Sequence, residues 1–283
     1  MLQPVEQPGR DRALTMRPMR TELDGRTPRY WMANDAWETH LLNALSLTFP
    51  AGERFFMRSV RALRDHVQDP VLAEQVRGFL AQEALHGREH GVMNKWLKTL
   101  GLPASVIERH LDARIQEEAA SRSPLDNLAV TCALEHFTAV LAKLLLTDES
   151  LRARFHESML PLWYWHAIEE LDHKAVAFDV YQAAGGSYPR RVLWMAGASL
   201  GLLTTAMIIQ WHLLKREDKP VGLRGWLRGL NRYVGPRGYL TAALPAYLRY
   251  YRRDFHPWQE DDRALIAQAE RALQTMLGER WAA

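Results

Sequence analysis

From residue 34 to residue 184, apolar side chains recur every three or four positions, the period that lines one face of an α-helix. Start and stop residues divide this pattern into four long helices. Asn34 or Asp35 can cap the first, which should run to about residue 66. Asp69-Pro70 opens the second, because a proline at the first helical position gives up an N–H that has no intrahelical partner there. Gly101 and Pro103 close it after about residue 100. An amphipathic piece over 104–120 forms a crossover. Ser123-Pro124 opens the third long helix, to about residue 147, and a short helix is predicted over 149–159. Pro161 opens the fourth, which Gly185-Gly186 stops. No window alternates apolar and polar residues as a strand requires. The predicted class is all-α: a ferritin-like four-helix bundle with a long crossover between its second and third helices, plus C-terminal helices.

The flanks read differently. Residues 1–33 are polar, rich in Arg and Pro and aperiodic, and are expected to form a flexible arm. The bundle should occupy 34–186 and a helical extension 187–283. Within that extension, residues 192–214 run for 23 positions without a charge, between Arg190-Arg191 and Lys215-Arg216. Such a helix is long enough to span or lie against a bilayer, and equally suits burial against the bundle. Two or three amphipathic helices should follow over 217–283.

Composition narrows the setting. An apolar share of 47% and a charged share of 24% are ordinary for a globular chain. The single cysteine, Cys132, excludes a disulfide framework and points to a reducing, cytoplasmic setting, with membrane association left open by 192–214. Cys132 lies in an apolar helical stretch and reads as core. The start of the chain lacks the apolar run of a secretory signal. A net charge of +3, without a dense basic patch interleaved with aromatics, argues against nucleic acid as a partner.

The acidic residues and histidines carry the chemistry. Glu53 lies on the first helix, Glu83 and His86 on the second, Glu135 on the third, and Glu170 and His173 on the fourth. The order is Glu, Glu-x-x-His, Glu, Glu-x-x-His. A spacing of three places both members of a pair on one helical face. Six such groups turned into one core would be costly without compensation, and two divalent cations would neutralise the carboxylates. Carboxylate and imidazole donors suit iron first, with manganese or zinc as alternatives. The neighbours are apolar, among them Phe55, Phe79, Leu134 and Ile168. His90 and His166 lie one turn from His86 and Glu170 and are candidates for a further ligand or a supporting bond, and Glu89 reads as a solvated neighbour of His90. Glu169 competes with Glu170 for the inward position. Asp179 could accept a bond from a ligand histidine. His136 should pack elsewhere, and Thr138 stands where a third histidine would complete a pair with Glu135.

The strings FPAGERFF, QEALHGREH, ALEHFTA and WHAIEELDHKAVAFDVY resemble a bacterial family of predicted metal-dependent hydrolases. The likeness runs from about residue 30 to about residue 250 and includes the apolar helix. It implies a ferritin-like fold and a metal centre at Glu53, Glu83, His86, Glu135, Glu170 and His173, and its name implies hydrolysis.

Three functions follow as expectations. The first is an oxidase or oxygenase, in which a ferrous pair passes electrons to O2 and oxidises an apolar small molecule, with an electron-donor protein as partner. The alternative is hydrolysis by metal-activated water. The third is a non-enzymatic iron or oxidative-stress protein, against which the long C-terminal extension stands. The pattern leaves oligomeric state open.

Overall fold

Asp35 accepts a hydrogen bond from Glu38 N and so starts α1 (Ala36–Leu63), as its position before the first apolar turn requires. The computed structural model describes residues 13–278. A single 3-10 turn, Arg64–His66, follows α1, and α2 (Pro70–Thr99) begins at the Asp69-Pro70 cap. Gly101 ends that helix region with φ +79, a conformation that residues with a side chain rarely adopt. The crossover is α3 (Ala104–Ala120), and α4 (Pro124–Thr147) starts where Ser123 accepts from Asp126 N. Then come α5 (Glu149–Arg152), α6 (Leu160–His173), α7 (Val176–Ala183), α8 (Tyr188–Leu214), α9 (Leu223–Val234), α10 (Tyr239–Leu248) and α11 (Arg263–Leu277). Among the described residues there is no strand, only an isolated bridge between Met32 and Phe155.

Helix α1 packs along α2, α4 along α6, α1 meets α4, and α2 meets α6 and α7. Two apolar clusters occupy the interior. One holds Leu47 and Ala51 of α1, Met93 of α2, Ala139 of α4 and Ile168 of α6. The other holds Phe55 of α1, Phe79 of α2, Ala133 of α4 and Val176 of α7. Each rod therefore passes from one cluster to the other, with Glu53, Glu83 and Glu135 at the crossing on the first three and His173, one turn after Glu170, at the crossing on the last. The order of the clusters along the chain makes α2 and α4 run the same way and α1 the opposite way. Helix α3 permits this, because it carries the chain back along the rods before α4 begins.

Proline inside α1 is accommodated by a neighbour. Pro50 has no N–H for Ser46 O, and Asn94 Nδ2 of α2 bonds that carbonyl at 3.2 Å. The same approach of α1 and α2 needs Gly87, where a Cβ would stand 3.0 Å from Glu53 Oε2.

Three expectations change. The arm expected over 1–33 is packed over 13–33, while its first twelve residues lie outside the described residues. Arg17, Trp31 and Met32 are buried, Trp31 Nε1 donates to Asn43 Oδ1 at 3.0 Å, and Thr21 N donates to Glu89 Oε2 at 2.6 Å. An extended strap has no periodicity to reveal it. The fourth long helix is two helices, α6 and α7, interrupted directly after His173. The break falls at Lys174, whose buried ammonium donates to Asp262 Oδ2 (2.5 Å) and Glu260 O (2.8 Å) ahead of α11. The short helix expected over 149–159 ends at Arg152, and the chain instead turns so that His156 N bonds Trp31 O at 2.8 Å.

Among the described residues, two helices are long and apolar enough to cross a membrane, α4 and α8. The most apolar window of α4 is 61% buried and forms core. That of α8 is 22% buried: one face lies on α4 and α1, and the other faces out.

If the strap is structural, Trp31→Ala costs about 3–5 kcal/mol, the range for deleting a buried aromatic ring. Urea unfolding of the two proteins reads this directly. A loss below about 1 kcal/mol would show that residues 13–33 hold on only loosely.

Candidate metal centre

The two Glu-x-x-His pairs face each other from α2 and α6, and the two single glutamates come from α1 and α4. Three groups of ligand atoms each fall within 4.8 Å: Glu53, His86 and His166; Glu83, Glu135 and His173; and Glu83, His86 and Glu170. Glu83 and His86 are common to more than one group, so the six expected residues form one cluster and His166 joins it. All of them are buried.

Their atoms are close but unbonded. His173 Nε2 lies 3.3 Å from Glu83 Oε1 and 3.3 Å from Glu135 Oε2. His86 Nδ1 lies 3.7 Å from Glu83 Oε1 and from Glu170 Oε1. Both carboxylate oxygens of Glu53, Glu83 and Glu135, together with His86 Nδ1 and His173 Nε2, have no hydrogen-bond partner. Buried polar atoms are normally paired, since leaving one unpaired costs about 1–3 kcal/mol. Acceptors and bare imidazole nitrogens aimed at a shared point are what a divalent cation needs, so these residues fit the group.

The far sides of both imidazoles are anchored. His86 Nε2 bonds Glu169 Oε2 at 3.0 Å, and His173 Nδ1 bonds Gln82 Oε1 at 3.0 Å. Gln82 Nε2 in turn donates to Thr15 O at 2.9 Å. Arg17 N donates to Glu169 Oε1 at 3.2 Å, and its guanidinium donates to Asp172 Oδ2 at 2.9 Å. These bonds fix the ring orientations and leave Nδ1 of His86 and Nε2 of His173 turned inward. The strap therefore braces the cluster from behind.

A cavity of about 240 Å³ reaches the cluster from one side, with Glu53, Thr138, His166 and Glu170 at its buried end. Phe49, Phe55, Phe56, Val130 and Leu134 line its middle, and Arg114, Glu118 and Arg122 its more exposed end. The carboxylates of Glu83 and Glu135 do not line it.

A family model described as "Predicted metal-dependent hydrolase" matches residues 15–261. The chain belongs to this family. No curated protein and no solved structure matches it. The family's metal dependence and the buried Glu/His groups together support binding of a divalent metal.

The remaining candidates separate in space. His166 reaches the cluster, with Nε2 2.9 Å from Glu170 Oε1 and its ring stacked on His86 at 4.1 Å. His90 stands one step back, with Nε2 2.7 Å from His166 Nδ1 and Nδ1 3.0 Å from Ser46 Oγ. Glu169 turns away from the carboxylates and holds His86. Asp179 is not part of the site: it bonds His256 at 2.7 Å rather than a ligand histidine, because the helix break after His173 redirects α7. Glu89 is buried and holds the strap rather than facing solvent. His136 packs against Tyr250 and Phe255, and burial pushes it down to about 4. Thr138 donates its hydroxyl to Glu170 Oε2. Gln82 and Arg17 escape a sequence reading, since neither is a ligand type in a recognisable spacing.

Burial sets the proton inventory. It raises Glu53 and Glu83 well above the usual carboxylate range, with neighbouring carboxylates adding to the effect, and pushes Glu135 up to about 7. Burial alone would lower His173, but Glu135 and Glu170 outweigh it and hold the ring protonated well above its ordinary range. Burial likewise opposes ionisation of Glu170, but the bond from His166 and the nearby His173 ring keep it well below its usual value. Burial, then His166, holds His86 neutral.

These shifts favour protons on Glu53, Glu83, Glu135 and His173, and a cation would have to displace them. Divalent affinity is expected to rise with pH, most steeply around the Glu135 value of about 7. Calorimetric titration at neutral pH, in buffers of different protonation enthalpy, should read net proton release. A Kd unchanged between about pH 6 and about pH 8, or net proton uptake, contradicts the assignment.

Proposed function

We propose that the chain is a metal-dependent hydrolase in which Glu53, Glu83, His86, Glu135, Glu170 and His173 hold a pair of divalent cations and an apolar ester or amide is the substrate. The observation that carries this reading is the convergence of unpaired, buried ligand atoms beside the inner end of an apolar cavity. Bound cations supply a nucleophile from water near neutral pH and polarise a carbonyl.

The chain's own residues do the rest. Glu53, Glu170 and His166 are the cluster members that line the cavity, so a substrate meets the centre on their side. Phe49, Phe55, Phe56 and Leu134 receive its apolar part and exclude water, which strengthens every charge interaction at the carbonyl. Thr138 holds Glu170 in place from the neighbouring helix. His166 touches both Glu170 and the cavity, and its Nε2–H holds the Glu170 carboxylate at the cavity's inner end. His90 behind it steadies the ring.

Oxygen activation is the second reading. The family description does not support it. The donor set favours it, because four carboxylates and two imidazoles on four helices are the composition of di-iron and di-manganese carboxylate centres. Iron, manganese and zinc all accept these donors. An electron-donor protein belongs to this reading alone.

Metal-free protein reloaded with zinc or manganese should cleave p-nitrophenyl esters, better with longer acyl chains and without consuming O2. Glu83→Ala should lose both metal and turnover. Glu169→Gln, which keeps every ligand, should lower metal affinity by about 10- to 100-fold. O2 uptake on ferrous loading, with no ester or amide turnover under any metal, overturns hydrolysis in favour of oxidation.

A further inference from the structure

Helix α8 is apolar on all sides, yet only one side is covered. Leu193, Leu200, Leu203, Met207, Ile208 and Trp211 are exposed, Leu193 by 68% and Leu200 by 64%. Leu193, Leu200, Leu203, Met207 and Trp211, at spacings of seven, three, four and four, line one face over about 27 Å of helix, and Ile208 widens it. A surface helix of a water-soluble monomer carries charges on its outer face, and no Asp, Glu, Lys or Arg occurs between Arg191 and Lys215. The opposite face is fixed to the protein: Met195, Ala206 and Leu213 are buried, and Gln210 Nε2 donates to Trp37 O at 2.8 Å. The helix is therefore tied down lengthwise.

Beyond Asp218 the sequence is one-signed: from Lys219 through Arg253 it has eight basic residues and no acidic one, of which Arg232, Arg249 and Arg252 pair with Glu38, Glu260 and Asp254. Helix α9 begins near the end of α8, where Leu214 shares an apolar cluster with Trp226 and Leu230. It exposes Leu223 by 74% and Leu227 by 57%, beside exposed Arg224 and Arg228. Apolar side chains next to arginines on a short amphipathic helix suit the boundary between headgroups and acyl chains.

We propose that the outer face of α8, together with α9, docks on the surface of an anionic lipid bilayer. The exposed apolar stripe enters the acyl boundary, and the basic segment faces the phosphates. The cavity supports the same orientation, because Trp194, Gly197, Ala198, Gly201, Leu202 and Thr205 of α8 form part of its wall. An apolar substrate dissolved in the membrane would then enter along the α8 wall of the cavity toward Glu53 and Glu170. Only this route rests on the hydrolase reading; the docking does not.

Flotation of the full chain with lipid vesicles tests the docking. Vesicles of phosphatidylcholine and phosphatidylglycerol in equal parts should carry the protein up, and vesicles of phosphatidylcholine alone should carry much less. A double change on the stripe, Leu200→Gln with Met207→Gln, and separately Arg224→Glu with Arg228→Glu, should each weaken binding by about tenfold or more. Both pairs are surface residues, so helicity by circular dichroism and metal content should match the parent protein. Metal loss with vesicle binding retained would count against the metal reading and leave the docking standing. Absence of binding to the mixed vesicles overturns the proposal. So does a dimer in sedimentation equilibrium that the Leu200/Met207 variant splits, because a second copy then covers the face.

Discussion

Burying carboxylates in a dry interior is the constraint to which the rest of this protein answers. Glu53, Glu83, Glu135 and Glu170 are buried away from bulk water, and mutual repulsion adds to the cost. Protons on Glu53, Glu83 and Glu135 offset part of it, and a bound divalent metal would offset more, because it would give the unpaired oxygens partners. Stability and metal occupancy are in this way coupled through the same atoms.

That requirement organises the fold around a polar layer. Each of the four rods places its ligand at the point where it leaves one apolar cluster and enters the other. The clusters supply the rigidity, and the layer supplies the chemistry. Residues 13–33 close the layer from one side through Arg17, Thr15 and the Trp165 Nε1 bond to Arg17 O at 3.0 Å. Helices α3 and α8 border the other side, where the cavity enters. A closed, braced back and an apolar front are what a site needs if its ligands are to stay aligned while a substrate enters.

Much of this is legible in the sequence because it is periodic or spaced. The caps at Asp35, Asp69 and Ser123, the stop at Gly101, and the two Glu-x-x-His pairs all depend on local chemistry that repeats every turn. What the sequence conceals is non-local. The strap of residues 13–33 has no period, and its buried Arg17 becomes intelligible only when Asp172 and Glu169 stand beside it. The break after His173 depends on Lys174 finding Asp262, 88 residues away. Asp179 can partner a ligand histidine only if the helix continues unbroken. The roles of His166 and Glu169 depend on a few tens of degrees of helix rotation that spacing alone does not fix. Composition does not distinguish burial from lipid contact for the outer face of α8, because exposure is a property of the fold.

Crystals of the metal-loaded protein, with diffraction recorded on either side of the metal's absorption edge, test the central claim most directly. The account predicts a pair of anomalous peaks within the polar layer, bounded by Glu53, Glu83, Glu135 and Glu170, with His86 Nδ1 on one and His173 Nε2 on the other. Absence of peaks there, or metal found only on exposed acidic side chains, would contradict it.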